Sequence, residues 1–191
     1  MSSKLIVNSI ENTTGTHTIN LDSGNSSIVG DLTVGGNLDL SSGGVYLGGS
    51  GSANLLDDYE EGTWTPALEQ TTGIVHDVQS GVYTKAGRLV TVSFVVGTSS
   101  ANSSINAILI NGLPYAPSNQ SLNETAYSGT FEAIYLSLVS GSQYNISIAS
   151  SGNKIQLRRF SSGGGNSGAL WSDVTNYGAF EIRGSLTYLT S

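Results

Sequence analysis

Across the second half of the chain, apolar side chains recur at every other position and do not fall at helical spacing. Ile134, Leu136 and Leu138 share one parity, as do Ile146 with Ile148 and Ile155 with Leu157; Ile182, Leu186 and Leu189 share a face if the chain slips near Gly184. A period of two places such residues on one side of a pleated strand, half buried against a second layer. The same reading gives strand candidates over 63–68, 74–78, 82–85, 88–96, 106–110, 130–138, 144–149, 154–160 and 180–189. Turn residues separate them: Lys85-Ala86-Gly87-Arg88, Asn111-Gly112, Ser140-Gly141-Ser142 and Ser151-Gly152-Asn153-Lys154, the last closing 144–149 and 154–160 into a hairpin. The expectation is an all-β chain whose C-terminal part is an antiparallel two-sheet sandwich.

Composition supports this class. The chain holds 25 Gly and only 11% charged residues, and strong helix formers are too sparse to fill long helices. With 38% hydrophobic residues and a mean hydropathy of -0.01 it carries enough apolar material to fold. A net charge of -7 with 7 Lys and Arg argues against nucleic acid as a partner, because phosphate contact needs clustered cations. No stretch is apolar enough to span a bilayer, and Met1 to Val7 is too short for a signal-peptide core, so production in a cytoplasm without membrane insertion is expected. The absence of Cys leaves oligomerisation or packing as the source of durability outside a cell.

From Thr18 to Gly49 the apolar residues come as short pairs cut by Gly, Asn, Asp and Ser. Gly30-Asp31-Leu32-Thr33-Val34 and Gly36-Asn37-Leu38-Asp39-Leu40 repeat one pattern at a six-residue offset. A β unit this small cannot bury its own apolar side, so it must stack or wrap with other copies. Three intertwined chains satisfy that need, with Leu32, Val34, Leu38 and Leu40 as the shared shaft core. A Gly/Ser linker is the plainer reading of this segment, but linkers show no such regular alternation. The run Gly48 to Ala53 has the composition of a joint. The expected organisation is an attachment segment over 1–17, a trimeric β shaft and joint over 18–53, and a head over 54–191. Lys4, Leu5, Ile6 and Val7 are the expected docking residues, being apolar and terminal.

Catalytic chemistry is poorly supplied. The only histidines are His17 and His76, and a Ser-His-Asp set would have to use His76 with Asp77 or Asp173, with no Gly-x-Ser-x-Gly elbow to present a serine. Zinc lacks Cys and paired His, and the acids Asp57, Asp58, Glu60 and Glu61 do not have the spacing of a calcium loop; they should lie in water. Gly163 to Gly168 fits G-x-G-x-x-G, but no helix, second strand or distant acid follows, so it reads as a surface loop. Carboxylate pairs of the glycosidase kind leave no sequence signature here. No enzyme, no metal and no cofactor is therefore expected. For contact with a receptor, the polar stretch 161–177 offers Arg158 and Arg159 at its base with Trp171 and Tyr177 as aromatic faces. Against this, Trp171 as a large aromatic is more simply a core residue.

Leu55-Leu56-Asp57-Asp58-Tyr59-Glu60-Glu61-Gly62-Thr63-Trp64-Thr65-Pro66-Ala67-Leu68 resembles a junction in tail-fibre and other virion structural proteins of tailed phages, particularly marine, cyanophage-like ones. Gly81 to Val92, Ile110 to Tyr115 and the ending Gly184 to Leu189 are similar to further landmarks of those heads in the same order, and Gly-Asp-Leu-Thr-Val looks like their shaft repeat. The resemblance implies a homotrimeric fibre or decoration protein of the virion with a jelly-roll-like head. It also implies an N-terminus docked on another virion protein and a head that contributes to attachment, with a host-surface glycan as its candidate partner. A lectin-like module without a virion role, and a surface-polysaccharide hydrolase, are the competing functions; the shaft repeat speaks against the first and the missing catalytic motifs against the second.

Overall fold

The computed structural model describes residues 29–40, 43–69, 73–100, 106–118, 127–149, 153–163, 165–173 and 179–191. The chain divides into two compact units, Met1–Ser41 and Ser42–Ser191. In the first, residues 29–40 form no strand of their own and leave their apolar side chains exposed. The second unit is built of antiparallel strands, and no α-helix occurs among the described residues. No helix there is long and apolar enough to cross a membrane.

A small hairpin, β1 (Val45–Tyr46) with β2 (Leu55–Leu56), opens the second unit. The Gly/Ser run expected to be a joint is the connection of this hairpin: Asn54 N–H donates to Gly51 O, and Leu47 N–H to Asn54 O, both at 2.8 Å. The remaining strands are β3 (Tyr59–Trp64), β4 (Ala67–Glu69), β5 (Val75–Ala86), β6 (Leu89–Ser100), β7 (Leu109–Asn111), β8 (Ser128–Ile134), β9 (Gln143–Ile148), β10 (Ile155–Phe160), β11 (Asn166–Gly168) and β12 (Phe180–Leu189). They make one ten-stranded sheet in the order β3-β5-β6-β12-β8-β9-β10-β7-β4, with β11 on β10.

The ends of that order explain its shape. β3 and β4 are the two edges, yet only Thr65 and Pro66 separate them in sequence. The sheet must therefore curl until its edges meet, doubling into a sandwich-like body. Pro66 suits the crossing because it has no N–H to give to a ladder. The second fold is at β8, which pairs with β12 through Thr130 to Ile134 and with β9 through Ser128 and Gly129. One strand expected over 63–68 is thus two strands on opposite edges.

Between the layers lies a continuous core. Val90, Val92, Phe94 and Val96 of β6 and Phe180, Ile182, Leu186 and Tyr188 of β12 face Ile146 and Ile148 of β9, Ile155 and Leu157 of β10, and Ile108 and Ile110. At roughly 1.5–3 kcal/mol per fully buried aliphatic or aromatic side chain, this interior dominates the stability of the head. The hairpin expected from Ser151 to Lys154 is present, with Ile148 opposite Ile155. So is the turn at Gly87, which adopts φ +55° between Ala86 and Leu89.

Three expectations are corrected. β12 keeps its register through Gly184, so Tyr188 joins Ile182 and Leu186 in the core in place of Leu189. Gly184 is there for space: a Cβ would sit 2.8 Å from the Phe94 ring. The irregularity falls instead in β5, where register shifts at Val75, His76 and Val78 allow a single long strand in place of two. Finally, Asn166, Ser167 and Gly168 of the glycine-rich stretch pair with Phe160, Arg159 and Arg158 as a short strand.

Candidate binding face of the head

The repeat in the first unit is visible as a repeat of environment. Leu32 and Leu38 are 61% and 60% exposed, and Val34 and Leu40 are 44% and 43% exposed. Each six-residue unit thus presents one leucine fully and a second apolar residue partly to water. The docking residues Lys4, Leu5, Ile6 and Val7 lie outside the described residues, as do His17 and Tyr177.

Of the residues expected to contact a receptor, the three described ones, Arg158, Arg159 and Trp171, are each engaged within the fold. Trp171 is fully buried: its ring lies 5.9 Å from that of Phe180, and its Nε1–H donates to Glu69 O at 3.2 Å. An indole with its polar edge satisfied by a backbone carbonyl is a core anchor and offers no face to a ligand, which corrects the aromatic-contact reading of this residue. Arg159 pairs with Asp173 at 2.7 Å, and Asp173 also accepts from Leu170 N–H, so this ion pair fastens the 3-10 turn Trp171–Asp173 to β10. Arg158 donates to Asn166 Oδ1 and Gln156 Oε1, bridging β10 and β11.

At the start of the head, the four acids expected in water are exposed, and three of them hold partners, Glu61 by accepting from the Tyr59 hydroxyl. Asp58 forms an ion pair with the buried Lys85, whose Nζ sits 5.3 Å from the centre of the Tyr115 ring. Glu60 accepts hydrogen bonds from the hydroxyls of Tyr115, at 2.5 Å, and Tyr83. These two donors, Tyr115 first, hold the Glu60 carboxyl below its ordinary range, and the same bonds push the Tyr115 and Tyr83 phenols up. Across the sandwich, His76 Nε2 accepts from Leu68 N–H at 3.0 Å and ties β5 to β4. No group of three or more His, Cys, Asp or Glu positioned for a metal occurs among the described residues.

A cavity of about 670 Å³ lies at the start of the head, lined by Leu55, Asp57, Asp58, Lys85 and Arg88 among others, and the outer face of β5, β6 and β12 carries two smaller, shallower depressions. One cavity of about 430 Å³ is lined by Val78, Ser80, Val82, Ser93, Glu181 and Arg183 among others. A second, of about 130 Å³, is lined by Asp77, Gly97, Thr98, Tyr135, Phe180 and Glu181, so Glu181 belongs to both. Register accounts for the dent. Val78, Gly97 and Glu181 stand in one row across the three strands, and Ile134 of β8 continues it. Gly97 is buried in that row because the flanking side chains close over it: a Cβ there would lie 2.8 Å from Val78 Cγ1 and 3.0 Å from Glu181 Cγ. Arg183 donates through Nε and Nη2 to Glu181 Oε2 at 3.1 and 2.8 Å, which fixes both side chains along the groove.

Tyr135 stands at the rim. Its ring is 77% exposed, and it alone of the described non-glycine residues has a positive φ, +59°. That left-handed conformation costs a side-chain-bearing residue about 1–2 kcal/mol. It also ends β8 four residues before the strand expected over 130–138 would. Sequence reading missed this face because Asp77, Gly97, Tyr135 and Glu181 are far apart in the chain and meet only through strand pairing.

The chain matches no family model, no curated protein and no solved structure.

Proposed function

We propose that this chain is a structural fibre or decoration protein of a phage virion, working as a homotrimer whose head contributes to host attachment. The observation that carries the reading is the matched exposure of the two repeat units: Leu32 with Leu38 and Val34 with Leu40 lie uncovered in the single chain at nearly equal fractions. Repeated apolar pairs with no internal cover are satisfied by identical chains, and closed symmetric assembly is how homo-oligomers commonly supply such cover. Three copies wrapped about one axis make the β shaft; the curled sheet of the second unit is a jelly-roll-like head.

The resemblance of Leu55 to Leu68 and of the later landmarks to tailed-phage fibre heads supports this reading, in which the assembly is made in the host cytoplasm and docks to another virion protein through Lys4 to Val7. No catalytic role is assigned. Light scattering on the purified chain tests the reading: a mass of about three times 19.8 kDa is expected, and a monomer at micromolar concentration would overturn it.

A further inference from the structure

We infer that the hairpin β1–β2 is a contact surface for further copies of this chain, each hairpin packing between those of its two neighbours with Tyr46 in the shared core. This rests on the trimeric reading and adds to it the surface by which the second unit takes part in assembly.

The six-residue repeat continues beyond Leu40. Val34, Leu40 and Tyr46 stand six apart, and their exposures are close, at 44%, 43% and 53%. The other apolar column, Leu32 and Leu38, reaches Gly44 at the same step. There the chain covers itself: a Cβ on Gly44 would lie 2.5 Å from Leu56 O and 2.7 Å from Asp57 Cα, so backbone fills the room a leucine would need. This third unit is closed by its own chain on the glycine side and left open at Tyr46. If copies cover Val34 and Leu40, the same copies supply the cover that Tyr46 lacks.

The hairpin needs cover on both faces. Val45 stands opposite Leu56, and Leu47 shares their parity; all three are exposed on one face, while Tyr46 opposite Leu55 makes the other. Two strands alone are marginal in water. Its frame is nevertheless fixed, because Asn54 Nδ2 donates to Leu47 O at 2.9 Å and Leu47 N–H donates back to Asn54 O. An apolar surface held in shape beforehand loses little entropy when a partner settles on it. In a ring of three, each chain has two neighbours, one for each face.

Charge identifies the partner as the chain itself. Copies of a chain carrying -7 repel wherever their acids meet, yet no charged residue occurs from Leu40 to Leu56. Interface cores are depleted of charge and enriched in tyrosine. Asp57, Asp58, Glu60 and Glu61 follow at once and set the limit of close approach. A basic partner would be drawn to those acids; an uncharged apolar window is what a chain of one sign needs to meet its own kind.

The test uses the full chain, which has no cysteine, so an introduced thiol is the sole reporter. Tyr46→Cys and Leu47→Cys place it on the two faces of the hairpin, and Val82→Cys, at a residue 55% exposed on β5, is the open reference. Light scattering should give about three chains for wild type and for the reference. A flexible bismaleimide should link chains through Tyr46→Cys and Leu47→Cys into covalent dimers on a denaturing gel, and leave Val82→Cys unlinked. A monofunctional maleimide should react with the hairpin thiols about tenfold more slowly than with the reference. Dissociation of the Tyr46→Cys particle with the melting of its head unchanged would equally support the contact. A three-chain particle whose hairpin thiols react as fast as the reference overturns the inference. So do protected thiols that link no chains, which would put the hairpin under another part of its own chain. The two readings fail separately: a trimer with an open hairpin removes this contact alone, whereas a wild-type monomer removes the trimeric fibre from which it starts.

Discussion

Leu38 and Leu186 stand in similar company, each one position from a Thr or Asx and two from another apolar residue or a glycine. Leu38 is 60% exposed and Leu186 is 2% exposed. The difference lies in what faces them. Leu186 is on a strand with neighbours hydrogen-bonded on one side along its whole length, and β9 and β10 lie across the sandwich as a second layer. Residues 29–40 pair with no strand among the described residues. Alternation gives a segment one apolar face; burial needs a second surface, which the head makes from its own chain and which the proposed trimer would lend to the repeat.

The comparison breaks most visibly at Leu38. If three copies cover the repeat, Leu38→Asp places unpaired charges together in a shared apolar axis, a penalty of roughly several kcal/mol per charge. The mass by light scattering should fall from about three chains to one, while the head keeps its melting transition. An unchanged mass would mean that Leu38 is not covered by other copies. In the head, the matching change is Trp171→Ala. It empties a fully buried site and orphans Glu69 O, and chemical denaturation should show a loss of about 3–5 kcal/mol with no change of mass in subunits. A loss below about 1 kcal/mol would place the ring outside the core that defines the head.

How far this contrast was legible in sequence depended on range. The hairpin of β9 and β10 needed only two alternating runs around Ser151 to Lys154, and β12 was found over its whole length from Phe180 to Leu189. Gly97 and Tyr135 were not legible as site residues. Gly97 is meaningful because Val78, nineteen residues earlier, and Glu181, eighty-four later, close on it, and no local pattern encodes that approach. Tyr135 interrupts an alternating run that continues to Leu138, so periodicity predicted strand where the backbone turns to φ +59°. The split of 63–68 has a local sign in Pro66, which has no N–H to give to a ladder; that it joins two edges follows from closure of the whole sheet.

Alkali sharpens the comparison, because it acts on the head's interior and not on the repeat, which has no tyrosine between Val29 and Leu40. Burial pushes the Tyr188 phenol up from 10.0 to about 12, and its hydroxyl donates to Tyr115 O at 2.9 Å. The folded state thus holds a proton that the unfolded chain releases near pH 10. Stability from this group is fully present below pH 10 and is lost as pH rises towards 12, on the order of 2 kcal/mol in all. Denaturation measured between pH 9 and 12 should show that decline in wild type and a flatter one in Tyr188→Phe, which begins lower by about 1 kcal/mol for the orphaned carbonyl. Parallel curves would assign the decline to other groups.

The smallest effect is expected at the start of the head, where Glu60 is exposed and solvent screens it. Hydrogen bonds from Tyr115 and Tyr83 lower its carboxyl from 4.5, so the folded state binds its proton less readily than the unfolded chain. The sign follows: the contribution is whole above pH 4.5 and disappears as pH falls through the folded value. Glu60→Gln isolates it, since the amide keeps an acceptor for one phenol and has no charge to lose. Between neutral pH and pH 3 the gap in stability between wild type and Glu60→Gln should narrow, and a gap that stays constant would mean the tyrosine bonds do not favour the ionised carboxylate. The mass by light scattering should stay the same in both proteins, because this cluster lies within the head and the proposed assembly runs through the apolar repeat.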